Sequence, residues 1–177
     1  MKQRTGSIAL VAVMTALALV FLLLTLTPVA TVALAALAGI CGIPVVVTLG
    51  RKVGWLHYAA ASLLSLWLIP AWEGKLMYLC FFGWYTVFKG WMESRSLPRW
   101  GEYTVKILSF LVALGVWGWL CYTLLSPTLP EGFGWWMIAP AAVVLAALFL
   151  AYDRCLSGLV SLYLTRLHPQ LKRLFGF

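Results

Sequence analysis

Four side chains in the fourth apolar stretch of the sequence are spaced to share one face of a helix. Tyr78, Phe82, Tyr85 and Lys89 follow one another at intervals of four, three and four residues, which is the spacing of neighbours along a helix. Phenol and ammonium groups find no hydrogen-bonding partners in hydrocarbon, so we expect this face to turn inward. It then either lines an aromatic pocket for a small molecule or consists of buried tyrosines bonded within the protein. The same stretch has a second, wholly apolar face formed by Met77, Phe81, Trp84, Phe88 and Trp91.

More aromatic and ionisable residues lie where the apolar stretches end opposite the N-terminus. Glu73, Lys75 and Glu131 are the ionisable residues at that end. A small-molecule site needs a mostly apolar pocket with a few placed polar groups, whereas aromatic residues without a ligand are typical of a bilayer interface. Together with the tyrosines and the phenylalanine of the inward face, residues at this end form the set of candidate substrate-binding residues: Trp72, Glu73, Lys75, Tyr78, Phe82, Tyr85, Tyr122, Glu131 and Trp135.

The first apolar stretch carries alanines at helical spacing. Ala9, Ala12 and Ala16 are candidate docking residues, because small side chains let another helix approach closely and close packing is a main source of helix association in lipid. Packing against a helix of the same chain is one interpretation of this pattern. Docking on a separate subunit is the other.

Several kinds of active site are missing from the sequence. It contains no GxxxxGK[ST] phosphate-binding loop, no HExxH zinc motif and no GxSxG nucleophile motif. The cysteines are far apart and have no metal-ligand spacing. We therefore expect a protein that is not an enzyme, with no catalytic residue, metal or cofactor.

The composition is that of an integral membrane protein. The chain is 63% hydrophobic and 10% charged, whereas soluble domains carry about 25% charged residues. A soluble protein of this composition could not cover its surface with polar groups. The length of 177 residues suits a single domain.

Charges, prolines and glycines divide the sequence into six apolar stretches, each close to the ~20 residues that cross a bilayer. We predict an all-α bundle of six transmembrane helices over residues 1–177. Within it, residues 156–177 are expected to form an amphipathic tail on the cytoplasmic side, serving either as a surface anchor or as a docking element for a cytoplasmic partner. The predicted spans are 7–27, 29–49, 53–71, 75–92, 104–126 and 135–155.

Lysines and arginines predict the orientation, because they collect on the cytoplasmic side of membrane proteins. They are concentrated at the N-terminus, at Arg51 and Lys52, between residues 95 and 106, and in the tail. Both termini are therefore expected to face the cytoplasm of a bacterial inner membrane. Arg51 and Lys52 would hold a cytoplasmic turn whose tight reversal is made by Gly50 and Gly54. The net charge of +8 then reflects topology, and no nucleic-acid partner is expected.

These features resemble those of the substrate-binding (S) components of energy-coupling-factor (ECF) vitamin transporters and related membrane proteins. The resemblance lies in size, in six predicted helices with both termini inside, in the segment AVMTA with Ala12 and Ala16, and in GIPVVVTLGRKVG. It implies that the alanine pair contacts a transmembrane coupling subunit. It also implies a membrane-embedded transport subunit that binds a small solute at the outer ends of helices four to six and is energised by separate ATPase subunits.

Two other functions fit the same sequence. One is a structural or assembly protein that packs on another membrane protein without a ligand, and a filled interior in the outer half would favour it. The other is a lipid-handling protein or membrane-embedded enzyme. A polar cluster converging around Asp153, Arg154 or His57 would favour that function, because ionisable residues inside a membrane are candidates for function.

Overall fold

Helices make up nearly all of the part of the chain that the computed structural model describes, which is residues 2–27, 30–95, 99–125 and 138–167. No strand occurs in these ranges, so the expected all-α class is confirmed there. The helices are α1 Lys2–Leu24, α2 Thr31–Ile40, α3 Gly42–Leu49, α4 Arg51–Leu68, α5 Trp72–Met77, α6 Gly83–Glu93, α7 Arg99–Leu125 and α8 Ile138–Leu162. Two π-helical turns, Tyr78–Phe82 and Tyr163–Leu167, join α5 to α6 and extend α8.

The helices of the described ranges form six segments, because two pairs are nearly continuous. One pair is α2 and α3, which meet at Cys41. Pro44 explains this break, because a proline ring clashes with the carbonyl four residues earlier but is tolerated in the first turn of a new helix. The other pair is α5 and α6, which the π-helical turn connects.

Four helices of the described ranges are long and apolar enough to cross a membrane: Thr5–Leu24, Thr31–Leu49, Trp100–Leu124 and Ala142–Arg166. The other two segments, α4 and α5–α6, carry several charged side chains. The last apolar window lies further along the chain than the predicted span 135–155. The tail predicted to begin at residue 156 therefore starts inside α8, and residues 168–177 lie outside the described part.

The first π-helical turn changes which residues face the core. A π-helical turn takes more residues than an α-helical one and so shifts the faces of the helix. Phe81 belongs to the second, wholly apolar face, opposite the face expected to turn inward, yet it is only 7% exposed. Its ring stacks on that of Tyr85, with centroids 4.9 Å apart. It also packs edge-on against Phe110 and Phe149, which stack on each other at 4.6 Å.

Candidate functional site

Asp153 of α8 is the centre of a buried charge cluster. Its side chain is only 5% exposed and lies near the middle of the apolar window Ala142–Arg166. The Tyr85 hydroxyl donates a hydrogen bond to Asp153 Oδ1 at 2.7 Å, and Lys89 Nζ lies 2.5 Å from the same oxygen. Lys106 Nζ donates to Asp153 Oδ2 at 3.0 Å. One carboxylate thus connects α6, α7 and α8.

Two glutamates complete the cluster toward its surface. Lys89 pairs with Glu93 at 3.1 Å, and Lys106 pairs with Glu102 at 2.6 Å. Both glutamates lie one helical turn from their lysine, and their side chains are 42% and 30% exposed. Taking an ammonium group out of water costs several kcal/mol unless it is paired. This arrangement gives each buried lysine two carboxylate partners.

The cluster is a convergence of polar groups around Asp153, the feature expected of a lipid-handling protein or membrane-embedded enzyme. Arg154 is not part of it, because its guanidinium points to the surface and donates to the Tyr103 hydroxyl at 3.0 Å. Lys106 was predicted only as one of the charges on the cytoplasmic side and not as a site residue. Its signal was a single lysine inside a long apolar helix, matched by a single aspartate inside another.

A cavity of about 310 Å³ borders the cluster at the Arg51 end of the bundle. It lies between α3, the start of α4, α6 and α8. Arg51, Lys89 and Glu93 supply its charged lining, and Ile43 and Leu156 are among its apolar lining residues. The cavity therefore combines an apolar wall with charges of both signs.

His57 makes a separate polar contact between α1 and α4. It is 2% exposed, and its Nδ1 lies 2.9 Å from Thr15 Oγ1. The Thr15 hydroxyl donates to the Val11 carbonyl at 2.8 Å, so we infer that Nδ1 carries the proton and donates to Thr15. His57 Nε2 has no hydrogen-bond partner among the described residues. Within the same ranges, no three His, Cys, Asp or Glu side chains are grouped to hold a metal ion.

An apolar groove of about 960 Å³ runs along the outside of α1 and α4. Ala12 and Ala16 line it and are exposed, so they do not pack against a helix of the described chain. Ala60 and Leu64 of α4 are also among its lining residues. Ala9 is half-buried and is not part of the groove.

Two of the candidate substrate-binding residues form a structural contact at the opposite end of the bundle. Lys75 is 2% exposed and donates to the Ile69 carbonyl at 2.8 Å, just where α4 ends. Its ammonium also lies 3.6 Å from the centre of the Trp72 ring, in a cation–π contact. Lys75 therefore caps the last turn of α4.

The candidates on the inward face are packed rather than open. Tyr78 is 1% exposed and Tyr85 is 0% exposed, so this face turns inward as predicted. The Phe82 ring packs edge-on against Tyr152 at 5.3 Å. Tyr85 fits the second interpretation of this face, a buried tyrosine bonded within the protein.

The remaining candidates do not join these residues in one place. Glu73 is exposed, and Tyr122 is 63% exposed. Glu131 and Trp135 lie outside the described residues. The set predicted from sequence is thus divided among a helix cap, the bundle core and the surface.

No protein-family model, curated protein or solved structure matches the chain. The features of the described residues that bear on function are the charge cluster, the cavity beside it and the groove.

Proposed function

We propose that the chain is a subunit of a larger membrane complex and that it docks on another membrane protein through the groove of α1 and α4. The observation that carries this proposal is the exposure of Ala12 and Ala16 in that groove. In lipid, helices associate mainly by close packing, and small residues allow the closest approach. A transmembrane helix of the partner is the occupant that fits.

A hydrogen bond between the two helices also holds the groove in shape. The hydrogen bond between His57 and Thr15 fastens α4 to α1, and Thr15 forms part of the groove lining. A surface already held in shape loses little conformational freedom when a partner binds. Apart from Ser7 and Thr15, the lining residues are apolar, so a partner helix meets no unpaired charge.

The resemblance to S components gives this docking a more specific form. The partner would be a coupling subunit energised by separate ATPase subunits, and the chain would bring a small solute to it. A structural or assembly role without a solute is the second candidate. It is supported by the close packing of the described residues at the end that would face outward, where Ile69 is 2% and Tyr78 is 1% exposed.

A photo-reactive diazirine amino acid placed at position 12 or 16 tests the docking. Each should form an adduct of one defined mass in native membranes, because both positions line the groove. Adding Ala16→Leu should weaken the adduct from position 12 about tenfold, the effect of roughly 1.4 kcal/mol of lost packing. The measurement is the adduct yield on denaturing gels, followed by identification of the captured protein by mass spectrometry.

Ala33 provides the matched control, because it is an exposed alanine on α2 that does not line the groove. A probe there should give lipid adducts alone, and Ala33→Leu should leave the adduct from position 12 unchanged. Equal protein adducts from positions 12, 16 and 33 would contradict docking through the groove. A captured coupling subunit would favour the transport role over the structural one.

We further propose that all six segments cross the membrane, with both termini in the cytoplasm of a bacterial inner membrane. The 18 residues of α4 span about 27 Å, close to the ~30 Å hydrocarbon thickness. Adding α4 and α5–α6 to the four apolar helices keeps the number even. The two termini are therefore on the same side with either number of spans.

Labelling of introduced cysteines distinguishes six membrane spans from four. Glu73→Cys and Ser94→Cys are placed at exposed positions in a variant without the native cysteines, expressed in bacterial cells. With six spans, a membrane-impermeant maleimide should label position 73 in intact cells and position 94 only after permeabilisation. Protection of both positions in intact cells would contradict six spans, because α4 and α5–α6 would then enter and leave on one side.

A further inference from the structure

The cavity at the Arg51 end contains two opposite charges that are not paired with each other. Arg51 and Glu93 both line it. Within the described ranges, no carboxylate lies within ion-pair distance of Arg51, whose Nη1 approaches Ser94 Oγ at 3.5 Å. An arginine fork presents donors that match a phosphate group in a bidentate manner. Arg51 is thus a free anion-binding group at the edge of the cavity.

Lys89 lines the same cavity but its donors are already used. Its ammonium contacts Asp153 Oδ1, the Asp153 carbonyl oxygen at 3.2 Å and Glu93 at 3.1 Å. A lysine has three N–H donors, so none remains for a ligand. Glu93 is 42% exposed and keeps acceptor capacity, because a carboxylate offers about four lone-pair sites.

Apart from the polar Thr86, the remaining side chains of the wall are apolar and include Ile43, Val47, Leu156 and Val160. A second groove of about 300 Å³, almost wholly apolar, shares Ile43 with the cavity and lies between α1, α2, α3 and α8. A small polar solute would leave these apolar side chains without an apolar surface to pack against. A ligand with a polar head and an apolar remainder covers both kinds of surface.

We infer that this cavity binds an amphiphile whose head carries a phosphate beside a primary ammonium, the chemistry of phosphatidylethanolamine. The phosphate lies on Arg51 and the ammonium donates to Glu93, while the glycerol and upper acyl chain follow the apolar wall. Lys89 and Asp153 hold Glu93 and α8 in position around the head. This site is independent of the docking groove, which lies on the outside of α1 and α4.

Native mass spectrometry of the full-length protein in detergent tests this inference. The probes are phosphatidylethanolamine, phosphatidylglycerol and phosphatidylcholine with identical acyl chains. We expect phosphatidylethanolamine to be retained best, because the glycerol head has no cation for Glu93 and the quaternary head has no N–H to donate. Equal retention of the three lipids overturns the inference.

Arg51→Gln should weaken retention of all three lipids about tenfold, the size expected for one lost charge-assisted contact. Lys52→Gln is the matched control. It removes the same charge from the neighbouring position, which does not line the cavity. Equal losses in the two variants would mean that only surface charge attracts lipid, and the site would be disproved.

Glu93→Gln should abolish the preference for phosphatidylethanolamine over phosphatidylglycerol while total lipid retention persists. Glu102→Gln is its control, because Glu102 pairs with Lys106 in the same way but lies outside the cavity lining. Soluble glycerophosphoethanolamine supplies the head without the tail, and we expect no binding at concentrations that saturate the lipid. Binding as strong as that of the lipid, or an unchanged preference in Glu93→Gln, contradicts an amphiphile site.

Discussion

Asp153→Asn is expected to lower the free energy of unfolding by about 3–5 kcal/mol, the usual cost of removing one member of a buried ion pair. The amide has no charge to offset the two ammonium groups that now contact the carboxylate, Lys89 at 2.5 Å and Lys106 at 3.0 Å. One amide hydrogen would also face a lysine donor. Each lysine keeps its glutamate, but those glutamates are partly exposed and compensate less.

Unfolding of the purified protein in detergent, followed by circular dichroism, measures this effect. Arg154→Gln is the control, because it removes a charge from the next position on α8, where the guanidinium meets Tyr103 at the surface. An exposed polar contact contributes less than about 1 kcal/mol. Similar losses in the two variants would show that Asp153 is not a buried counter-ion.

A triple apolar variant tests whether docking depends on the charges of the cluster or only on a stable fold. Lys89→Met, Lys106→Met and Asp153→Leu together should recover part of the stability that Asp153→Asn loses, because a buried ion pair is often replaced by apolar residues at little cost. The recovery is incomplete because the buried Tyr85 hydroxyl loses its acceptor. If the triple variant folds and still forms the photo-adduct from position 12, docking does not depend on the cluster. Loss of the adduct in a stable triple variant would connect the cluster to docking.

The helices were predictable from the sequence because each is an apolar stretch, and the charges, prolines and glycines between these stretches indicate where one helix ends and the next begins. Arg51 and Lys52, predicted in the turn before a span at 53–71, instead form the start of α4. Gly50 makes the reversal with a φ of +86°, a conformation that favours glycine. Gly54, predicted in the same turn, is instead buried inside α4. A Cβ there would meet the side chain of Val46 on α3. One glycine suffices for the turn, and the other lets α3 and α4 approach.

The functional residues were less predictable because their partners are distant in sequence. Lys89 and Asp153 are 64 residues apart, and helical periodicity does not say which helices become neighbours. For the same reason, the alanines of α1 gave no indication whether they face another helix of the chain or the surrounding membrane. The inward direction of Tyr85 was predictable, because a phenol in lipid needs a partner. That this partner is Asp153 was not.

Gly39→Ala is expected to lower the free energy of unfolding by about 1–3 kcal/mol, the usual cost of inserting atoms into a packed interior. Gly39 of α2 lies against the first π-helical turn, and an added Cβ would clash with the carbonyl oxygen of Phe82. That atom belongs to the backbone, so no side-chain rotation relieves the clash. Ala35 and Ala38 of α2 are fully buried, so moving α2 away from the turn would disturb its packing in the core.

Gly118→Ala is the matched control for this second variant. Gly118 lies inside α7 with nothing within 4 Å of an added Cβ, and alanine is favoured over glycine in a helix by about 1 kcal/mol. Thermal unfolding should therefore rank Gly118→Ala at or above the original protein and Gly39→Ala below it. If the two variants unfold alike, α2 does not contact the turn closely. The extra residue of the π-helical turn would then have to be explained by the position of Phe81 alone, without any contribution from the fit to α2.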